Sequence, residues 1–224
     1  MVRAGYRARV TLGLDILLLC VDPNLRMVRD REYTGHAMRA ADLIELAVAG
    51  RVTLTGRWIK WITVVDAGPT GEPLLDASLA ALATAPKRLM PVDWMCRQPA
   101  GGAVEAGLAV LAGQGAVRLY SRRVTSRRTL TEPELLDPPR QGQVRARLDR
   151  FAAAGRSADV LDWALAGLVY QCNLWIPGHY DRAAWRLYKE AARGERGTSR
   201  ADPVEATIRT LMSDAHNARN RDLY

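Results

Sequence analysis

The run LGLDILLLCV, from Leu12 to Val21, is apolar except for Gly13 and Asp15, and predicts a buried helix entered near Thr11. DPNLRMVRDREY follows as an expected loop, with charged residues at its end. In TGHAMRAADLIELAVAG, Met38, Ala41, Ile44 and Val48 recur at helical spacing. Leu43 and Ala47 widen that stripe, and Gly50 ends it as a residue tolerant of positive φ. RVTLTGRWIKWITVV has β-branched and aromatic residues on both sides of Gly56 and reads as a β-hairpin. DAGPTGEP is a turn-rich loop, LLDASLAALATA a helix ended by Pro86, and VDWM a short element before the break QPAGG.

The second half alternates in the same way. AVEAGLAVLAGQG predicts a helix closing at Gly113 or Gly115, and AVRLYSRRVTSRRTLT predicts two short strands around an arginine-rich tip. QGQVRARLDRFAAAG is a helix with its arginines expected on the outer face. SADVLDWALAGLVYQCNLW, with Asp159 in its first turn, is apolar on nearly all sides and is expected to be the central core helix. HYDRAAWRLYKEAARG is amphipathic; DPVEATIRTLMSDAHNARN closes the series, with Asp202 as N-cap and Pro203 at the first helical position. RGERGTSRAD between them has the composition of a mobile stretch. The expectation is a mainly α fold of about seven helices and two β-hairpins, one domain over residues 1–224.

Charge narrows the function classes. The net charge is +8 and the pI about 9.9, which favours anionic partners: nucleic acid, a membrane surface or a phosphorylated ligand. Only Lys60, Lys87 and Lys189 are lysines, an arginine bias expected of a GC-rich, bacterium-like source. Cys20, Cys96 and Cys172 are far apart and outside any CxxC, so neither a disulfide framework nor a zinc site is expected, and a reducing cytoplasm fits. Asp15 interrupts the N-terminal apolar run, against a signal peptide. The uncharged stretch Trp163–Tyr180 is too short and polar to span a bilayer.

No phosphate-binding lysine loop, GxGxxG, GxSxG or HExxH is present, and the three histidines are dispersed. No catalytic residue, metal or cofactor is therefore expected, and the chain reads as a non-enzyme. Glu45 is read as an active-site carboxylate or, in preference, as a buried partner for Arg39 or Arg51. Trp58, Trp61, Trp163, Trp175 and Trp185 are read as core or interface anchors.

The densest charge is VRLYSRRVTSRRTLTEP, where Arg118, Arg122, Arg123, Arg127 and Arg128 precede the first acid, Glu132. With Val124 its only apolar tip residue, this segment is suited to lie against anionic headgroups and not to enter hydrocarbon. A solvated tip or a self-association contact is the plainer reading. A winged-helix arrangement on nucleic acid is a third, disfavoured because Glu105 is the only charge on the preceding helix.

Four segments in order, LLLCVDP, RAADLIELAVAGRV, DAGPTGEPLLDASLAAL and VLDWALAGLVYQCNLW, resemble the Golgi phosphoprotein 3-like family, including its bacterial, largely actinobacterial, members. LIELAxxGR and PTGxxLLDxxL are the most specific marks, and the similarity covers about residues 10 to 215. The resemblance implies a helical bundle ringed by amphipathic helices and hairpins. It also implies a cytoplasmic, reversibly membrane-associated adaptor that binds phosphatidylinositol 4-phosphate and the tails of Golgi glycosyltransferases. The headgroup pocket it implies uses a tryptophan, an arginine before the LIELA core, and two arginines three apart; a protruding hairpin inserts into membrane or mediates homo-oligomer contacts. Arg39 falls at the first arginine position. Asp30, Gly101 and Val104 occupy the other three, so one pocket residue of four is kept.

Overall fold

Helix α1, Leu12–Cys20, has no wet face: every residue in it is buried. In the computed structural model, which describes residues 11–96, 100–125, 128–154, 159–174, 176, 182–193 and 203–221, the other elements gather around it. A helix without solvent must find partners for its terminal N–H and C=O groups inside the protein. Thr11 caps the start, its Oγ1 accepting from the Leu14 N–H at 3.3 Å. Glu45, on α2 (Arg31–Val48), accepts the Leu12 N–H at 2.8 Å. At the far end Gln141, on α6 (Pro138–Ala154), donates its amide N–H groups to Leu18 O at 2.7 Å and Val21 O at 2.9 Å.

Asp15 is the one charge in α1 and is only 4% exposed. Arg147 of α6 pairs with it and, through Nε at 2.6 Å, with Asp162 at the start of α7 (Val160–Gln171). Burial pushes the Asp15 carboxyl up to about 6, against the opposing pull of Arg147 and Arg140.

Helix α2 packs on α1, α5, α7 and α9. Gly50, at φ 70°, closes its C-terminal end. On one side lie α3 (Pro73–Ala83), α4 (Pro91–Cys96) and α5 (Ala100–Gly113); on another, α9 (Pro203–Arg221), which with α8 (Arg182–Ala192) covers α7. Asp159 caps α7, and its Trp163–Val169 stretch is wholly buried. Gly167 allows the close crossing with α9: a Cβ there would lie 2.2 Å from Met212 Sδ.

Three antiparallel two-stranded sheets occur among the described residues. β1 (Val21–Asp22) pairs with β2 (Met27–Val28), β3 (Val52–Thr55) with β4 (Trp61–Val64), and β5 (Val117–Thr125) with β6 (Arg128–Leu135).

The mainly α expectation holds, with nine helices among the described residues against about seven expected. Four details differ. The segment read as a plain loop contains the β1–β2 hairpin, made compact by Asp22, which accepts from Asn24 N–H at 2.8 Å, Leu25 N–H at 3.0 Å and the Arg29 guanidinium. The strands of the arginine hairpin are nine and eight residues long, not short. Arg147 turns inward to the buried carboxylates instead of lying on the outer face of α6. Glu45 caps α1, a role neither of its two readings contained. Asp202, Trp175 and the RGERGTSRAD stretch from residue 194 onward lie outside the described residues.

Replacing Arg147 with alanine strands Asp15 without its cation. The expected loss is about 3–5 kcal/mol in urea unfolding. The sign of the pH dependence follows from the raised Asp15 value: its contribution is present below about pH 4 and lost as pH rises through about 6. Removing the opposing Arg147 raises that value further, so the Arg147→Ala deficit is expected to be larger at pH 8 than at pH 5.

Candidate functional site

The β5–β6 hairpin follows period-two logic. Val117, Leu119, Pro133 and Leu135 form its inner face, with Val117 and Pro133 fully buried. Arg118, Tyr120, Arg122, Glu132 and Glu134 form the outer face. Farther out Ser121, Arg122, Arg123 and Thr129 are exposed on both faces, so the distal part stands clear of the body. Gly115, at φ +73°, makes the turn from α5 into β5.

Among the described residues, two of the five expected arginines meet the hairpin's own acids. Arg118 lies 3.4 Å from Glu134, directly across the register, and Arg122 pairs with Glu132. Tyr120 donates its hydroxyl to Glu134 at 2.8 Å. Arg26, in the β1–β2 turn, reaches the same Glu134 at 3.1 Å and sits 5.2 Å from the Tyr120 ring centroid. The side chains of Arg118 and Arg122 nonetheless stay 60% and 61% exposed. Arg123 is exposed and has no ion pair among the described residues. Arg128 is described only in its backbone, opposite Thr125, and Arg127 lies outside the described residues.

Arg39 is elsewhere. It lines a cavity of about 370 Å³ between α2, α3, α4 and α5, to which no hairpin arginine contributes. It is 7% exposed, and its Nη1 donates to Met95 O at 3.1 Å and Trp94 O at 3.4 Å. Burial pulls its pKa below the ordinary value, with Asp42 acting in opposition. Asp42, one helical turn from Arg39, reaches into the same cavity and accepts from the Ser78 hydroxyl at 2.7 Å. Its seat exists because residue 13 is glycine: a Cβ there would come 3.2 Å from Asp42 Oδ1. Burial pushes the Asp42 carboxyl up to about 7, with Ser78 and Arg39 pulling it down. Met38, Leu74 and Trp94 give the cavity apolar walls, and the Trp94 indole N–H finds no acceptor among the described residues.

Of the remaining positions to which the resemblance points, Asp30 is the N-cap of α2 and Val104 is fully buried in the core. Tyr33 is half-buried, with the Arg219 guanidinium 5.0 Å from its ring centroid. Sequence reasoning missed Asp42 and Ser78. The available signal was an acid three residues after Arg39 on the same helix. Cys20 and Cys172 are buried, their thiols pushed up to about 12 by that burial, which makes them core residues and not nucleophiles. No group of metal-ligating side chains, and no helix long and apolar enough to cross a membrane, occurs among the described residues.

The described residues thus combine a helical body, an exposed cationic hairpin and a separate cavity lined by Arg39 and Asp42. Residues 12–211 match the model of the Golgi phosphoprotein 3 (GPP34) family, and the chain belongs to that family. The family is one of non-enzymatic, Golgi-associated adaptors. No curated protein gives a significant match.

Because the folded Asp42 binds its proton more tightly than the unfolded chain does, its stabilising contribution is complete below about pH 4 and lost as pH rises to about 7. Asp42→Asn is expected to flatten the melting-temperature profile between pH 5 and 8 relative to the wild type, and to remove a side-chain carboxyl resonance titrating near 7.

Proposed function

We propose that the chain is a non-enzymatic adaptor that docks reversibly on anionic lipid headgroups through the β5–β6 hairpin. The observation that carries this reading is the β5–β6 hairpin, whose distal Ser121, Arg122, Arg123 and Thr129 are exposed and whose sequence carries five arginines against two glutamates. The net charge of three supports binding no tighter than about millimolar from one hairpin alone. Repetition in an oligomer, or a second contact, must supply the rest.

Arg39 is the candidate second phosphate contact, at the cavity. Asp42 beside it makes that site net neutral when ionised, so the contact is effective only with Asp42 protonated. For the same reason a phosphoinositide headgroup is less well matched here than in a pocket with three arginines, and the preferred ligand is an anionic surface in general. The Arg118–Glu134 rung and the diagonal Arg122–Glu132 pair favour a second reading: alternating charges are self-complementary between antiparallel copies, which suits self-association through the hairpin.

Vesicle sedimentation separates the two. Wild type is expected to bind phosphatidylserine-containing vesicles at 20 mM salt and phosphatidylcholine vesicles hardly at all. Arg122, Arg123, Arg127 and Arg128 changed together to serine should lower anionic binding at least tenfold, as should raising salt to physiological strength. Equal affinity for neutral and anionic vesicles sinks the membrane reading. A sedimentation-velocity shift from oligomer to monomer in the four-serine variant, with vesicle binding unchanged, supports self-association instead.

A further inference from the structure

The loop Gly56–Lys60 between β3 and β4 carries an unexpected pair of side chains. Trp58, read from sequence as a core or interface anchor, is 86% exposed, and its neighbour Ile59 is 53% exposed. Among the described large hydrophobic residues, none is more exposed than Trp58.

The loop that presents them is tightly built. Gly56 has φ +101°, and a Cβ there would fall 2.1 Å from Ile59 O, so the turn closes only on glycine. Lys60 Nζ donates to Gly56 O at 2.7 Å across the same turn. Arg57 places its guanidinium 5.2 Å from the Trp58 ring centroid. Beneath the loop, the Thr55 and Thr63 hydroxyls lie 2.9 Å apart in a hydrogen bond, and Thr55 faces Trp61 in the ladder. The tip therefore holds one aromatic and one branched aliphatic side chain between two cations, in a defined geometry.

Charge complementarity selects the occupant. An apolar protein groove would accept Trp58 and Ile59 but would need separate carboxylates for Arg57 and Lys60. The boundary of an anionic bilayer meets both demands: indole rings favour headgroup depth, and basic side chains extend along their apolar stems to reach phosphate. We propose that the β3–β4 tip is an interfacial anchor, Trp58 and Ile59 entering the headgroup–acyl boundary of an anionic bilayer while Arg57 and Lys60 meet its phosphates. The anchor rests on the reading of the chain as a membrane-surface binder, yet it is a separate contact, apolar where the arginine hairpin is electrostatic. It commits to a bilayer and not to free phosphates, because a soluble anion offers Trp58 nothing.

The test uses the full chain and vesicles of phosphatidylcholine with or without phosphatidylserine, including a set with brominated acyl chains. Trp58 is so exposed that its replacement should leave the melting temperature unchanged, which is checked first. Trp58→Ala with Ile59→Ser is expected to weaken binding to the anionic vesicles about 10- to 100-fold. The binding left should vanish with added salt, whereas part of the wild-type binding resists it. Trp58→Phe should keep most of the affinity and lose the quenching of tryptophan emission by brominated lipid. A wild type that binds anionic vesicles, with the double variant binding equally and quenching unchanged in Trp58→Phe, overturns the anchor and leaves the surface reading standing. A wild type that binds neither vesicle overturns both. A double variant that binds vesicles normally but changes oligomeric state assigns the tip to a protein contact and overturns the anchor.

Discussion

A helix buried on every side organises this protein, because its polar groups can be satisfied only by side chains from other elements. Glu45 takes the first N–H of α1, Gln141 takes its last carbonyls, and Arg147 neutralises Asp15. Two of these come from α6 and one from α2, so α1 fixes the placement of both. Arg147 extends the lock to Asp162, bringing α7 into the same register. A buried ion pair adds little net stability over an apolar equivalent, yet breaking it is costly. The pose of α2 against α1 in turn sets Asp42 over Gly13 and turns Arg39 toward the carbonyls of α4.

The two arginine sites obey opposite electrostatics. Inside, Arg39 is held by backbone carbonyls and balanced by an acid one turn away, so it adds little net field. Outside, the hairpin arginines stay largely wet even where Glu132 and Glu134 meet them. Val104 shows the same division from the other side: where the resemblance places a pocket cation, this chain has a buried aliphatic side chain packed in the core.

Apolar periodicity made the helices legible, and Gly50 and Gly56 marked real positive-φ turns. The motifs that reveal the family also turn out to be structural. In LIELAxxGR, Glu45 caps α1, Gly50 ends α2 and Arg51 pairs with Asp66; in PTGxxLLD, the Thr70 hydroxyl bonds Asp76 at 2.7 Å and ties the loop to α3. They specify the fold and say little about the ligand. What stayed illegible was pairing at long range: nothing local in α6 shows that Arg147 turns inward, since its partner Asp15 is 132 residues away. The β1–β2 strands, two residues each, are too short to produce an alternating pattern. For Trp58 residue type left core and interface open, and a five-residue loop closed by glycine, which leaves the ring exposed, excludes the core. Asp42 was visible as an i+3 neighbour of Arg39, but its seat depends on Gly13 and Ser78, which no local pattern connects to it.

The carboxylates on the arginine hairpin bear on selectivity. Five unpaired guanidinium groups would bind any polyanion, nucleic acid included, with a strength set by charge density alone. Glu132 and Glu134 lower that indiscriminate attraction and hold Arg118, Arg122 and, through the β1–β2 turn, Arg26 in fixed directions along one face. What remains is a weak, oriented cationic face that requires a further contact to give useful affinity. A duplex offers phosphates but no apolar layer for a second, hydrophobic hairpin; a bilayer interface offers both within a few ångströms of depth. On the membrane reading proposed above, partial neutralisation of one hairpin and apolar display on the other are complementary, since neither contact alone gives useful affinity.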